Sequence, residues 1–485
     1  MIIKKILPVV FSSLALMSSA CSDNDNDGPD SSSTDKPVVS DNLAEQNVGR
    51  AIEIIDAAVD NYFTGTSMAM SRYYNPHTGQ KSQELGSVWM YTSSIEAVNA
   101  VLHSLKTLKD NGSSSLYDAN FERYKELLSK LVEGAEYYRG SFSLTSYTGT
   151  NTWNVLGVDR GSAPGAAFTE GIHNVYDDQM WFIREMVESY NVTGENKYLE
   201  KAEYLTSYVL DGWDCTLDEN GKENGGFTWG PGYVTKHACS NGPIISPLVW
   251  LHEIYKGKPD MLTYKIIDAD NKRVEVTKSK ADRYLEIAKA TYDWQKSHLL
   301  DPSNGVYSDM MGGDDNGGNI KYETVDGELY RAHSSLRDRV GEHYTYNSGS
   351  TLSGLVDLYR VTSDASYLTD IKALTDNSFV KFATLGSVIP DHYAFNITGF
   401  RPWFDGVLMR AYVEAAPVYN NAATCADAFQ ANLDYAYDNF RKNHQLPTNL
   451  LVGWNYDKAK NNTEAMFEFG YAAEYAVLAR HQLNK

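Results

Sequence analysis

The stretch YDDQMWFIREMVESYNVTGENKYLEKAEYLTSYVL, residues 176–210, contains two helical patterns in succession. The first pattern opens on polar and aromatic side chains and then turns strongly apolar, which is typical of a helix that is buried on most sides. The second pattern, from Lys197 to Leu210, is charged on one face and apolar on the other. An amphipathic helix of this kind covers a buried neighbour. The stretch therefore predicts one inner helix followed by one outer helix.

The same alternation continues along the chain. Candidate helices lie near residues 42–65, 88–109, 117–140, 177–193, 196–213, 243–256, 277–300, 346–362, 364–382, 402–418, 421–443 and 464–482. No convincing run of alternating strand residues separates them. Six inner and six outer helices predict an all-α fold, an (α/α)6 toroid of six inner and six outer helices. Because a closed ring of helical hairpins has no natural cut, we expect a single domain over residues 41–485.

The N-terminal residues predict export and a lipid anchor. Two lysines precede an apolar stretch and a few small residues that end at Cys21, which is typical of a signal peptide over residues 1–20. The residues before Cys21 resemble a bacterial lipobox, which implies acylation of Cys21; the alternative is an ordinary secretory signal with an incidental cysteine. Residues 21–40 are polar and acidic, and they predict a disordered tether.

The acidic cluster behind Cys21 resembles the surface-export signal of Bacteroidetes lipoproteins. We therefore expect an outer membrane lipoprotein that is exposed on the cell surface. Contact with the membrane is expected only through the N-terminal lipid, because no later segment has the roughly 20 apolar residues that spanning requires. We expect the mature protein to be a monomer.

The composition favours a neutral polymer as partner. The chain has 63 acidic against 43 basic residues and a formal net charge of −20, spread along its length. Such a surface repels polyanions, which argues against nucleic acid and against polysaccharides of uronic acids. The 34 Tyr and 9 Trp residues include rings that could stack on the C–H faces of sugars. A neutral polysaccharide is therefore the expected partner.

The cysteines and the acidic loops predict no metal site and no cofactor. Besides Cys21, the chain has Cys215, Cys239 and Cys425. A bridge between Cys215 and Cys239 and buried free thiols both remain open. No CxxC or HExxH spacing supports a zinc site. Calcium near Asp314-Asp315 stays open, although no EF-hand pattern is present.

Two adjacent aspartates, Asp177 and Asp178, begin the predicted inner helix of the opening stretch. Glycosidic cleavage needs one carboxylic acid to protonate the leaving oxygen and one carboxylate to attack or to activate water. A helix N-terminus favours an ionised aspartate, whereas repulsion raises the pKa of its neighbour. One pair could thus supply both functions. The structural alternative is a solvated helix start with aspartates at the cap and first turn.

Six motifs in one order carry a resemblance to a known family. They are Tyr176-Asp177-Asp178-Gln179-Met180-Trp181, Gly225-Gly226-Phe227-Thr228-Trp229, Asn241-Gly242-Pro243, Val306-Tyr307-Ser308-Asp309, Thr345-Tyr346-Asn347-Ser348-Gly349 and Phe404-Asp405-Gly406. This order resembles glycoside hydrolase family 76. The resemblance implies an (α/α)6 fold and endo-acting cleavage of α-1,6-mannosidic bonds in α-mannan with retention of configuration. It also implies that Asp177 is the nucleophile and Asp178 the general acid/base, which their spacing alone does not assign.

Six further residues are predicted to bind substrate. By the same resemblance Asp309 contacts the sugar, and Asn347 lies in one of the six motifs. Candidate stacking platforms are Trp229, Tyr307, Tyr346 and Trp403. Each of these aromatic residues has the alternative of a place in the core, and Asp309 has that of a surface loop.

Three other functions compete with this interpretation. A non-catalytic glycan-binding surface lipoprotein is one, although the tetratricopeptide spacing of about 34 residues typical of such proteins is absent. A polysaccharide lyase would face an acidic sugar, which the net negative charge disfavours. A transglycosylase of the same family would pass the retained intermediate to a sugar instead of water. Whether the cleft acts in an endo or exo manner depends on loops that sequence does not place.

Overall fold

The computed structural model describes residues 42–170, 173–313, 317–386, 388–395, 401–454 and 461–485. These residues belong to one compact unit. The predicted signal peptide (1–20), the lipidated Cys21 with its tether (21–40), and the Asp314-Asp315 loop lie outside the described residues. Within the described ranges, no helix is long and apolar enough to cross a membrane.

Each predicted helix has a counterpart in the described residues. The helices are α1 (Leu43–Tyr62), α2 (Val88–Asp110), α3 (Ser115–Gly134), α4 (Tyr176–Thr193), α5 (Asn196–Asp211), α6 (Gly242–Tyr255), α7 (Lys280–Leu299), α8 (Thr345–Thr362), α9 (Ala365–Phe382), α10 (Arg401–Ala415), α11 (Asn421–Phe440) and α12 (Ala465–Leu483). The even-numbered helices are the predicted inner set and the odd-numbered helices the outer set.

The even-numbered helices close into a ring. Along the ring α2 packs against α4, α4 against α6, α6 against α8, α8 against α10, α10 against α12, and α12 returns to α2. The odd-numbered helices cover this ring, since α3 packs on α2, α5 on α4, α7 on α6, α9 on α8, α11 on α10, and α1 on both α12 and α2. The predicted all-α (α/α)6 toroid is confirmed.

Tyrosines fill much of the space between the two layers. The largest fully buried side chains are all tyrosines, among them Tyr471 and Tyr475 of α12. Their hydroxyls have partners inside the protein, as where Tyr471 donates to the Pro447 carbonyl at 3.1 Å. A buried hydroxyl that is hydrogen-bonded carries little desolvation cost. Most of the tyrosine content is therefore part of the core and is no evidence for sugar binding.

The described residues also include short strands, which the sequence did not predict. They are β1 (Phe63–Thr64), β2 (Ala69–Met70), β3 (Tyr73–Asn75), β4 (Gln80–Lys81), β5 (Arg139–Thr145), β6 (Thr150–Leu156), β7 (Lys236–His237), β8 (Met261–Ile267), β9 (Arg273–Ser279), β10 (Leu300–Asp301), β11 (Val306–Tyr307), β12 (Met310–Met311), β13 (Tyr322–Val325), β14 (Glu328–Arg331), β15 (Arg339–Val340), β16 (Ala383–Leu385), β17 (Tyr393–Phe395) and β18 (Thr463–Glu464). Three of the antiparallel hairpins, β5–β6, β8–β9 and β13–β14, connect or flank helices outside the inner ring.

Two predicted helices were too long because they ran into these hairpins. The helix predicted over 117–140 ends at Gly134, and a 3-10 turn then leads into β5 at Arg139. The helix predicted over 277–300 begins at Lys280, because the Ser279 hydroxyl accepts the amide of Asp282 at 3.1 Å and caps the first turn. The hairpins leave the helical ring unchanged.

A small sheet joins the two loops that precede α6 and α8. Strands β7, β12 and β15 pair in the order β15-β12-β7, with Met310 opposite both His237 and Val340. The amide of Ala238 also donates to the Asp309 carbonyl at 2.8 Å. The loops before α6 and α8 are thereby fixed to each other, beside the N-terminus of α4.

Candidate active site

The adjacent aspartates occupy the first turn of α4, where Asp177 is half-buried and Asp178 is 7% exposed. Val175, at the N-cap, has no side chain that could accept the free amides of this turn. Instead Asp177 Oδ1 accepts the amide of Asp178 at 2.9 Å. Asp177 therefore satisfies one amide of the helix N-terminus from within a cavity, which differs from the solvated cap of the structural alternative.

Trp229 binds the other oxygen of Asp177. Its indole Nε1 donates to Asp177 Oδ2 at 3.2 Å, and its carbonyl accepts the amide of Tyr176 at 2.7 Å. The next residue must be glycine, because a Cβ at Gly230 would lie 2.6 Å from the Asn174 carbonyl oxygen. The loop and the start of α4 are thus in close backbone contact, and this contact fixes the indole against the carboxylate.

The two aspartates have unequal surroundings. Burial raises the pKa of Asp177 to about 6, opposed by its hydrogen bonds from Trp229, the Cys239 thiol and the Asp178 amide. Burial, the charge of Asp177 and the charge of Asp159 together raise the pKa of Asp178 well above its usual range. Between the two pKa values one carboxyl is ionised and its neighbour is protonated. A difference of this kind separates a nucleophile from an acid.

Both carboxyls open into a cavity of about 760 Å³ at the end of the ring where the inner helices begin. Its lining residues are Ser87, Trp89, Val158, Val175, Asp177, Asp178, Trp181, Trp229, Tyr233, His237, Cys239, Asp309, Glu342, Tyr344, Tyr346, Arg401 and Phe404. The volume lies within the range of roughly 300–1,000 Å³ that is common for ligand sites. Aromatic walls and a few polar groups suit a sugar, which presents both C–H faces and hydroxyls.

Of the six predicted substrate-binding residues, Trp229, Asp309 and Tyr346 line this cavity. Burial raises the pKa of Asp309 to about 6, against a hydrogen bond from Asn347. Asp309 therefore places a third carboxyl beside the pair. Tyr346 stacks on Phe404 with 4.0 Å between ring centroids.

The other three predicted residues, Tyr307, Asn347 and Trp403, do not line the cavity. Trp403 is 3% exposed beneath Trp181, and its indole donates to Glu96 Oε2 at 2.9 Å. Tyr307 is buried, and Asn347 is buried behind Asp309. In this conformation these three side chains lie behind the residues that line the cavity, and they are too buried to contact a sugar.

Sequence reasoning missed His237 and Cys239, which both line the cavity. Burial lowers the pKa of His237 to about 4, so its ring is neutral near pH 7, and it stacks on Trp229 at 4.9 Å. The thiol of Cys239 lies against the Asp177 carboxylate and the Tyr346 hydroxyl. Lys236 of β7 points the other way into a 2.8 Å ion pair with Asp214, and Cys239 lies in the turn that follows β7. A strand of two residues followed by a turn is too short for an alternating pattern to stand out in the sequence.

The β13–β14 hairpin holds one wall of the cavity. Arg331 of β14 donates to the carbonyls of Pro231, at 3.0 Å, and of Tyr233. Tyr233 in turn packs against Trp229 with 4.7 Å between ring centroids. The β13–β14 hairpin, in the connection between α7 and α8, therefore positions Trp229, the hydrogen-bond partner of Asp177.

Within the described ranges, no cluster of His, Cys, Asp and Glu is arranged to hold a metal ion. Cys215, Cys239 and Cys425 are buried free thiols, so the predicted alternative of a bridge between Cys215 and Cys239 is not present.

Comparison with known proteins agrees with this geometry. Residues 131–254 and 274–481 match the sequence model of glycosyl hydrolase family 76. Among solved structures, the chain is similar to the family 76 glycoside hydrolase (mannosidase) Bt3792 from Bacteroides thetaiotaomicron VPI-5482, with a TM-score of 0.66, 19% identity, and coverage of 91% of this chain and 100% of that one.

The chain is also similar to an inactive variant of an α-1,6-mannanase of Salegentibacter sp. HEL1_6 in complex with α-1,6-mannotriose. There the TM-score is 0.58, the identity 17%, and the coverage 90% of this chain and 99% of that one. No curated protein sequence matches the chain. Identities this low show a shared fold, whereas the family match extends over more than half of the residues. The chain therefore belongs to glycosyl hydrolase family 76 and is a glycoside hydrolase.

Proposed function

We propose that the protein cleaves α-1,6-mannosidic bonds within the backbone of α-mannan, with retention of configuration. The observation that carries this proposal is the unequal carboxyl pair: Asp177 accepts two N–H groups and is the more easily ionised, whereas Asp178 is buried beside that charge and holds a proton. A retaining glycosidase needs these two states side by side.

In the first step, Asp178 gives its proton to the leaving glycosidic oxygen while an oxygen of Asp177 attacks the anomeric carbon. The bond to the leaving sugar breaks and an ester between Asp177 and the remaining sugar forms. In the second step, Asp178 takes a proton from water, the water attacks the same carbon, and the Asp177 carboxylate leaves. The indole of Trp229 orients the attacking carboxylate throughout, because it donates to Oδ2.

Two observations support mannan as the substrate. The net charge of −20 favours a neutral polymer. The similar Salegentibacter enzyme is an α-1,6-mannanase, and its inactive variant, which has two adjacent aspartates replaced by asparagine, is in complex with α-1,6-mannotriose. Adjacent aspartates are also the central feature of this site.

The proposal is tested by chromatography of the sugars released from unbranched α-1,6-mannan. We expect a ladder of oligosaccharides at early times, with the α-anomer appearing first in NMR spectra of the fresh products. Release of mannose alone would contradict endo action, and an initial β-anomer would contradict retention. Side-branched mannan provides the matched substrate that measures how far branches block the cleft.

The pH dependence of kcat/KM is expected to follow the ionisation of Asp177 and Asp178. As the pH rises through about 6, Asp177 loses its proton and activity increases; at higher pH Asp178 loses its proton and activity falls. We expect a bell-shaped profile whose acidic limb lies near pH 6, measured with unbranched α-1,6-mannan from pH 4 to pH 10. Full activity at pH 4 would show that no group of the pair must ionise.

We also propose that the enzyme is displayed on the outer membrane through a lipid on Cys21, and that it acts there as a monomer. The lipobox-like residues before Cys21 and the acidic tether behind it support this location. A nutrient-scavenging enzyme at the surface would meet a polymer too large to enter the cell.

A further inference from the structure

A second cavity, of about 400 Å³, lies outside the active site. Its lining residues are Thr148, Asn151, Thr152, Trp153, Ser207, Leu210, Asp211, Trp213, Cys215, Leu262, Thr263, Tyr264, Lys265, Glu275 and Arg283. None of these described residues lines the cavity around Asp177. The second cavity is therefore a separate feature of the surface, between α5, the β5–β6 hairpin and the β8–β9 hairpin.

Part of one wall of this cavity lies outside the family match. The match stops at residue 254 and resumes at residue 274, which leaves out β8 and the following turn. The hairpin is nevertheless fixed at its tip, where Arg273 Nε donates to the Tyr147 carbonyl at 3.1 Å and Nη2 donates to Glu323 Oε1 at 2.6 Å. The cavity therefore has a well-anchored wall.

The lining combines aromatic rings with hydrogen-bonding groups of balanced charge. Trp153 and Tyr264 are half-buried and both line the cavity. Lys265 and Arg283 offset Asp211 and Glu275, so the cavity has no excess of either charge. An uncharged ligand with many hydroxyls fits such a lining better than an ion does.

Arg283 gives a second and independent indication of a ligand. It is 8% exposed and its guanidinium lies 3.8 Å from the centre of the Tyr264 ring. Its Nε has no hydrogen-bond partner among the described residues. A buried donor without an acceptor is costly, and a hydroxyl of a bound ligand would satisfy it.

We propose that this cavity is a non-catalytic binding site for a neutral oligosaccharide, with Trp153 and Tyr264 as apolar surfaces and Arg283 as a donor to a hydroxyl. The site goes beyond the proposed function because it lies apart from the cavity that contains Asp177 and Asp178. It would keep a polymer attached to the enzyme between rounds of cleavage.

The test is a calorimetric titration of the full mature chain with α-1,6-mannotetraose, in the Asp177→Asn background so that the ligand persists. We expect two binding sites per chain. Ser207→Trp fills the cavity and Trp153→Ala removes one aromatic wall, and each should weaken the second site by about tenfold or more. Tyr393→Ala, an exposed aromatic residue of β17 that lines neither cavity, is the matched control and should keep both sites.

An equal affinity of the second site in Ser207→Trp and Tyr393→Ala would overturn the proposal. So would a single site in the background protein whose affinity Ser207→Trp leaves unchanged. The rate on α-1,6-mannotetraose in otherwise wild-type protein should not change with Ser207→Trp, because the filled cavity lies apart from Asp177. If the wild type cleaved no mannan, the proposed function would fail. The affinities measured for Ser207→Trp and Tyr393→Ala would still show whether the second site exists.

Discussion

Turnover of α-1,6-mannan by an Asp177→Asn variant is expected to fall at least about 10⁴-fold, because an amide oxygen cannot form the sugar ester. The fold should persist. The asparagine side-chain oxygen can still accept one of the two N–H groups that now reach Asp177, from Asp178 or from Trp229. The measurement is the initial rate of reducing-sugar release, together with thermal unfolding of both proteins.

Asp309→Asn provides the matched control for this loss. Asp309 is a carboxyl of the same cavity with a pKa also raised to about 6, but it is not part of the pair. Its amide variant should bind substrate more weakly and keep a much larger fraction of kcat. If Asp309→Asn were as inactive as Asp177→Asn, the nucleophile would have to be reassigned.

An Asp178→Ala variant should lose activity in proportion to how much the leaving group needs a proton. On mannan, whose leaving group is a sugar hydroxyl, we expect a loss of roughly 10²–10⁴-fold. On a 2,4-dinitrophenyl α-1,6-mannobioside, whose leaving group departs as a stable anion, the first step should be nearly unaffected. The values of kcat/KM on the two substrates measure this difference, because kcat/KM reports the first step.

Added azide distinguishes the two aspartates further. In the Asp178→Ala variant azide needs no deprotonation to attack the sugar ester, so it should restore turnover of the aryl substrate and give an α-mannosyl azide. Equal losses on both substrates, with no response to azide, would show that Asp178 acts on something other than the leaving oxygen.

The helical ring could be predicted because its signal is local. Each inner helix, such as α12, is apolar almost all round and each outer helix is amphipathic, and these patterns lie within windows of about twenty residues. The β8–β9 hairpin could not be predicted in this way. Its strands, Met261–Ile267 and Arg273–Ser279, are half-buried or exposed apart from Ile267, and they mix threonine and lysine with the apolar residues. What holds the hairpin is its contact with Tyr147 and Glu323, which are distant in sequence.

In the candidate site, too, the features with a local sequence pattern could be predicted and those that depend on distant contacts could not. Asp177 and Asp178 are adjacent, so one short motif contains both and the sequence could point to them. The place of an aromatic residue depends instead on its depth. Trp229, in the loop before α6, reaches the cavity, whereas Trp403, in the first turn of α10, turns to Glu96 in the interior. Residue type alone does not distinguish these two situations, because both bury a large ring and satisfy one N–H group.

Closure of the ring between α12 and α2 has a consequence for how the protein is made. The helix α12 completes the ring and is synthesised after the other helices described here, and it packs against α2, which is made several hundred residues earlier. Until α12 is present, the sides of α2 and α10 that face it have no cover, and such incomplete toroids are prone to associate with one another. Contacts so far apart in sequence also make folding slow. The ring therefore reaches its native form late and as a whole.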